Sequence, residues 1–137
     1  KKIASGVSAG GYPLIEDYDF KRDISKVEIE LQALEYTDLR YLMTAATGAP
    51  IGAEVSMLKL RGTELQQRIS ELLMQAMGYY ASPYLPEAME YGWNEDPVGF
   101  AEAPGMAPNY FNQRKTSIYG GSNEIQKNII AKMVLGL

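Results

Sequence analysis

The sequence predicts an all-α protein, an antiparallel four-helix bundle, on three observations. The first is the series Val55, Leu58, Gly62, Leu65, Ile69, Leu72 and Ala76, spaced alternately by three and four residues. That spacing keeps one stripe on one face of a helix over about three heptads. The second is the series Phe20, Ile24, Val27, Leu31, Leu34, Tyr41 and Ala45, which follows the acids Asp17 and Asp19, as suits the electropositive start of a helix. The third is that no stretch of the chain alternates convincingly as a strand does.

From the start of the chain, Lys1 to Ala4 reads as the frayed end of a preceding helix, and residues 5–13, rich in Gly, Ser and Pro, as a loop. A helix then spans about residues 19–46. Thr47-Gly48-Ala49-Pro50 supplies a C-cap glycine and a proline suited to the first turn of the next helix, so the first two helices form an antiparallel hairpin. Gly62 lies on the stripe of the second helix at a cost of about 1 kcal/mol relative to Ala. It is either a point of close approach for another helix backbone or a tolerated glycine. Residues 80–107 form a long loop with Pro83, Pro86, Pro97 and Pro104, the single Trp93, and one short helical turn near Glu87–Tyr91. Loops of this length in compact domains are usually functional or flexible. A third helix is expected over 108–117, with Pro108 in its first turn. The last begins at Ser122 as N-cap, carries Glu124 in its first turn and Ile125, Ile129 and Met133 on one face, and ends at Gly136. Residues 1–137 read as one domain.

Composition excludes several functions. The chain of 137 residues has 46% hydrophobic and 22% charged residues, which suits one folded domain. Thirteen basic and seventeen acidic residues give a net charge of −4, without a basic cluster, so no nucleic-acid partner is expected. No apolar run approaches the roughly 20 residues needed to span a bilayer, so no membrane partner is expected and the protein is placed in the cytoplasm. The absence of Cys and His removes disulfides, thiolate and imidazole metal sites, and Ser-His or Cys-His catalysis. No metal site is expected. Because it starts at Lys1 without a Met, the chain is expected to be a fragment of a larger protein.

Three groups of residues could carry chemistry. Glu28, Glu30 and Glu35 avoid the apolar stripe of the first helix and read as a solvated face rather than a metal box. Tyr79, Tyr80 and Tyr84 follow the second helix, with Gln75 just before them, where they either stack on a ring or simply pack. Ile118-Tyr119-Gly120-Gly121-Ser122-Asn123-Glu124-Ile125-Gln126 places two glycines ahead of exposed helix-start amides, an arrangement open to an anionic or polar ligand. A plain helix-turn-helix corner is the competing reading, and physics alone favours it.

Residues 118–131 resemble the closing sequence of the acyl-CoA dehydrogenases, typically Ile-Tyr-Glu/Gly-Gly-Thr/Ser-x-x-Ile-Gln-Arg/Lys-x-Ile-Ile-Ala. Leu72-Leu73-Met74-Gln75-Ala76-Met77-Gly78 is similar to the end of that family's long helix, which closes on Gln-x-x-Gly. The resemblance runs from about residue 13 to 137 and is weakest in the 80–107 loop. It implies the carboxy-terminal helical domain of a tetrameric FAD enzyme, homo- or heteromeric, that converts an acyl-CoA substrate to the trans-2-enoyl thioester. A carboxylate takes the α-proton, FAD takes the β-hydride, and an electron-transfer flavoprotein reoxidises the flavin. The matching cofactor positions are Gln75, Ala76, Met77, Gly78 and Tyr79 toward the FAD of a neighbouring subunit, and Ser122, Asn123 and Glu124 toward its adenosine-pyrophosphate side. Tyr119 and Gly121 match positions that border the acyl-CoA channel.

One position departs from the pattern. Many members carry the catalytic Glu where this chain has Gly120, so no catalytic residue is expected within the chain. Some members, including isovaleryl-type and long-chain enzymes, place the base on an earlier helix, which would lie upstream of Lys1. Pro13-Leu14-Ile15-Glu16-Asp17 and Ala33-Leu34-Glu35-Tyr36-Thr37 look most like bacterial enzymes resembling the large subunit of pimeloyl-CoA dehydrogenase. Two other readings stay open: a non-enzymatic helical oligomerisation module, and a redox-inactive partner subunit of a heteromeric dehydrogenase.

Overall fold

The computed structural model describes residues 1–137. Four main helices make up most of it: α2 (Tyr18–Ala46), α3 (Ser56–Met77), α4 (Met106–Gln113) and α5 (Asn123–Met133), preceded by the one-turn α1 (Lys2–Gly6). The all-α bundle read from the sequence is the observed fold. No helix is long and apolar enough to cross a membrane. The chain divides into two compact units, one of Lys1–Ser25 with Gln67–Arg114, the other of Lys26–Gln66 with Lys115–Leu137. Both boundaries near residues 25 and 66 fall inside helices, so α2 and α3 each contribute a segment to both units.

The first unit is built around the end of α3. Met77, Ala81 and Ala103 are buried together, with Ile3, Met74, Phe100 and Met106 packed against them. The long loop is therefore not wholly a surface flap, because its far end supplies Ala103 to the core. Short 3₁₀ turns at Gly78–Ala81, Pro86–Met89 and Ala103–Gly105 punctuate it. One of these coincides with the turn expected near Glu87, and the other two escaped the sequence reading. The rings of Tyr80 and Phe100 meet edge to face at 5.3 Å, a favoured aromatic geometry. At the start of α2, the Asp17 carboxylate accepts from the Phe20 amide at 2.9 Å, which satisfies one of the free N–H groups of the first turn. Arg68 of α3 bridges Asp23 of α2 at 3.1 Å and Glu71 at 2.8 Å. Arg114 lies over the Tyr110 ring at 4.3 Å and donates to the Gln67 carbonyl and the buried Ser70 hydroxyl at 2.9 and 3.0 Å, tying the end of α4 to α3.

The segment read as a plain loop contains a small hairpin, β1 (Ser8–Ala9) antiparallel to β2 (Tyr12–Pro13). Gly10 and Gly11 turn it with φ of 64° and 98°. Two consecutive positive φ angles are what a two-residue hairpin turn demands, and glycine meets that demand without steric cost.

In the second unit, Val27, Tyr41 and Leu65 are buried, and the Arg40 guanidinium stands 5.5 Å from the Tyr41 ring centre. A Cβ added at Gly62 would meet only the Leu34 side chain, at 3.9 Å. No helix backbone closes on Gly62 within this chain, so the tolerated-glycine reading holds here. The hairpin expectation is corrected at its turn. Pro50 does not open α3, because Gly52 takes an extended conformation and a 3₁₀ turn at Ala53–Val55 intervenes before Ser56. Residues 106–117 are α-helical only to Gln113 and tighten to 3₁₀ over Arg114–Ser117. α5 stops at Met133, where the Leu135 and Leu137 amides fold back onto the carbonyls of Ile130 and Ala131 around Gly136. Ile29, Leu31, Tyr36, Leu39, Leu42 and Met43 of α2 are exposed.

Gly62→Ala should stabilise the protein by about 0.5–1 kcal/mol, since the site has room and Ala is the better helix former. Gly99 and Gly92 share a positive φ, but a Cβ on Gly99 would overlap the Tyr80 ring while one on Gly92 meets nothing. Urea denaturation should show Gly99→Ala destabilising by about 1–3 kcal/mol more than Gly92→Ala, the difference reporting the ring overlap.

Candidate functional site

The residues singled out by the sequence fall into two groups, one in each compact unit. The first lies at the end of α3. Helical periodicity turns Ala76 and Met77 into the core, at 5% and 2% exposure, and leaves Gln75 outside. Gly78, at φ 53°, then carries the chain off the helix axis in a left-handed turn. Tyr79, at 93% exposure, is left projecting into solvent. A ligand at this edge would meet the Gln75 amide, the Tyr79 ring and the open backbone of Gly78. The side chains of Ala76 and Met77 are occupied in packing.

The second group is the turn into α5. Thr116 is fully buried, and the Ile118 and Tyr119 amides both bond the Lys115 carbonyl at 3.0 and 3.4 Å, closing the turn before the glycines. Gly120 and Gly121 have φ of 66° and 86°. A Cβ at Gly120 would meet nothing within 4 Å, whereas one at Gly121 would reach the Gln126 side-chain amide at 2.6 Å. Position 120 therefore opens outward, with room for a side chain that its left-handed backbone disfavours. Ser122 takes the extended N-cap conformation and its hydroxyl accepts from the Ile125 amide at 3.3 Å. The sequence-predicted cap is therefore present.

Glu124, exposed in the first turn, has its carboxyl held below the ordinary value of 4.5. The cause is first its own backbone N–H, then the Ser122 hydroxyl, with smaller help from the Lys127 and Lys59 charges. Tyr119 is half exposed and Ile118 more so. Asn123 is buried, and its Oδ1 accepts from Lys59 Nζ at 2.8 Å and from the Thr63 hydroxyl at 3.0 Å. Lys59 also donates to the Ser117 carbonyl at 3.3 Å. Neither Lys59 nor Thr63 stood out in the sequence, because both lie off the apolar stripe and belong to no motif. The only available signal was their spacing of four residues, one helical turn. No group of three or more acidic side chains gathers to hold a metal, and Glu28, Glu30 and Glu35 are all exposed.

A helical domain with a left-handed glycine after its long helix and a capped diglycine turn into its last one defines a class of helical domains that present backbone and amide groups at helix ends. The chain belongs to the acyl-CoA dehydrogenase C-terminal domain family, whose model matches residues 2–135. Among solved structures it is similar to a chain of the ChsE4-ChsE5 complex from Mycobacterium tuberculosis, with a TM-score of 0.72 and 23% identity. That match covers 99% of this chain and 33% of the other, so the chain spans about a third of the length of that relative. At this identity the match establishes the shared fold. No curated protein matches the sequence.

Ser122→Ala should lower stability by about 1 kcal/mol through loss of the cap, measurable by thermal unfolding. The Glu124 carboxyl has a folded pKa below its unfolded one, so its contribution is complete above the ordinary value and is lost as pH falls through the lowered one. Between about pH 5 and pH 3, the wild-type unfolding midpoint should fall more steeply than that of Glu124→Gln. Parallel curves would refute the assignment.

Proposed function

We propose that this chain is the carboxy-terminal helical domain of an FAD-dependent acyl-CoA dehydrogenase acting on an acyl-CoA thioester, and that it supplies flavin contacts and subunit interfaces but no catalytic base. The observation that carries this reading is the open diglycine turn capped by Ser122 in a chain of this family. Each group by itself offers donors that suit part of a flavin dinucleotide. Gln75 offers an amide and Tyr79 an exposed ring for stacking, while the start of α5 offers backbone N–H groups and a dipole that favours phosphate. Glu124 is anionic and suits a ribose hydroxyl better than a phosphate oxygen, so the amides around Ser122 and Asn123 take the phosphate side. Bound FAD would supply the acceptor for the β-hydride.

The base that takes the α-proton is placed elsewhere in the whole protein, since Gly120 carries no side chain. Tyr119 and Gly121 border the acyl chain. A bacterial enzyme resembling the large subunit of pimeloyl-CoA dehydrogenase remains our narrower reading, supported by the Pro13–Asp17 and Ala33–Thr37 runs. An electron-transfer flavoprotein would reoxidise the enzyme in the cytoplasm.

The exposed apolar face of α2, together with Ile125 and Met133 of α5, supports assembly into a homo- or heterotetramer. The similar ChsE4-ChsE5 structure is a complex of two named proteins, and Gly120 favours a second reading in which this chain belongs to a redox-inactive partner subunit. Purification of the whole protein should yield bound FAD and acyl-CoA-dependent reduction of an artificial acceptor. The chain of 137 residues alone should show no turnover. In the whole protein, Gln75→Ala with Tyr79→Ala should weaken FAD binding about tenfold, the effect of roughly 1.4 kcal/mol of lost contact. Flavin-free whole protein would refute the reading. Flavin without turnover would select the inactive-partner alternative.

A further inference from the structure

We infer that Lys59 is a positioning residue that staples the two ends of the Ile118–Ser122 turn, and so fixes the edge assigned above to flavin and acyl-CoA. The proposal rests on that reading for its consequence but on geometry for its mechanism. The five residues 118–122 include two glycines with positive φ, and their side chains bury little, since Ile118 and Tyr119 are exposed at 67% and 52%. Glycine pairs lose the most conformational freedom on ordering, so something outside the turn must hold it. The residues flanking it are Ser117 and Asn123, and Lys59 Nζ donates to both, at 3.3 Å to the Ser117 carbonyl and 2.8 Å to Asn123 Oδ1. Thr63, one turn further along α3, donates to the same Asn123 oxygen at 3.0 Å. Bonds from a charged donor are about twice as strong as neutral ones, and Asn123 is nearly buried, which strengthens them further.

The Lys59 charge also helps to keep the neighbouring Glu124 carboxylate ionised, but the place is not an intrinsically favourable one for a cation. It stands near the start of α5, where the helix dipole disfavours positive charge, so a lysine serving only to pack would be better replaced by a neutral side chain. A point charge with three donors can reach a backbone carbonyl and a side-chain oxygen at once. That is what joining Ser117 to Asn123 across the turn requires.

The test uses the whole protein with Lys59→Met, Lys59→Arg and, in case the Met variant does not fold, Lys59→Gln. Amide hydrogen exchange is followed by mass spectrometry in peptides covering 118–124 and, as an internal reference, 74–82. Lys59→Met should accelerate exchange in 118–124 at least tenfold while leaving 74–82 within twofold. Lys59→Arg should restore protection to within threefold, and Lys59→Gln should fall between the two. The dissociation constant for FAD should rise about tenfold in Lys59→Met and recover in Lys59→Arg. Unchanged exchange in 118–124, or acceleration spread equally over both regions, would overturn the staple. The wild type separates this from the proposed function: absence of flavin there defeats that function while the exchange result still judges Lys59. Flavin in the wild type with unaltered affinity in Lys59→Met would defeat the positioning role alone.

Discussion

Burial along α3 is the constraint on which each unit depends. Leu65 and Ser56 bury in the second unit, and Ser70, Leu72, Ala76 and Met77 in the first. Close-packed interiors tolerate no polar atom without a partner, and no buried side-chain nitrogen or oxygen lacks one. The polar groups admitted along α3 are paired by residues distant in sequence. Ser70 and the Gln67 carbonyl take the Arg114 guanidinium, and Lys59 and Thr63 take Asn123. The helix thus contributes buried side chains to both units and anchors, through its polar side chains, the segments that follow the long loop.

Helix ends, rather than helix faces, are where this chain presents chemistry to solvent. A helix terminus leaves backbone groups without intrahelical partners, and a left-handed glycine lets the chain leave the axis abruptly. At Gly78 this exposes Tyr79 immediately after the buried Met77. At Gly120 and Gly121 it delivers the chain to the Ser122 cap. Position 120 has space for a side chain and none to fill it, which is the physical content of the missing carboxylate. In the proposed enzyme, proton abstraction would have to be assigned to another segment, and the backbone and amide groups here would serve only to hold the dinucleotide edge.

Much of the apolar surface of α2 and α5 is not buried within the chain. The face that reads Ile125, Ile129 and Met133 is helical as expected, yet Ile125 and Met133 remain exposed and the one buried residue of α5 is Asn123. Hydrophobic burial is the dominant favourable term in folding and association alike, so a periodic stripe shows which face seeks cover and does not say what covers it. This is why the apolar pattern located α5 and its apolar face without saying what that face packs against.

The sequence alone determined the helices, because three- and four-residue periodicity, acids at helix starts and the Ser122 cap are local properties. Phe20 to Ala45 became α2, and the Val55–Ala76 stripe became α3 except at Val55, which lies in the 3₁₀ turn before it. It also determined the family, since two motifs in order survive any rearrangement of the core. Local signals failed where turn chemistry competed, as at the Gly10-Gly11 hairpin and at Pro50, which Gly52 separates from α3. What only the tertiary structure decided are the pairings across dozens of residues: Ala103 returning to Met77, and Lys59 reaching Ser117 and Asn123. Those depend on where packing places distant segments, and a hydrogen bond carries no periodicity by which a linear sequence could announce it.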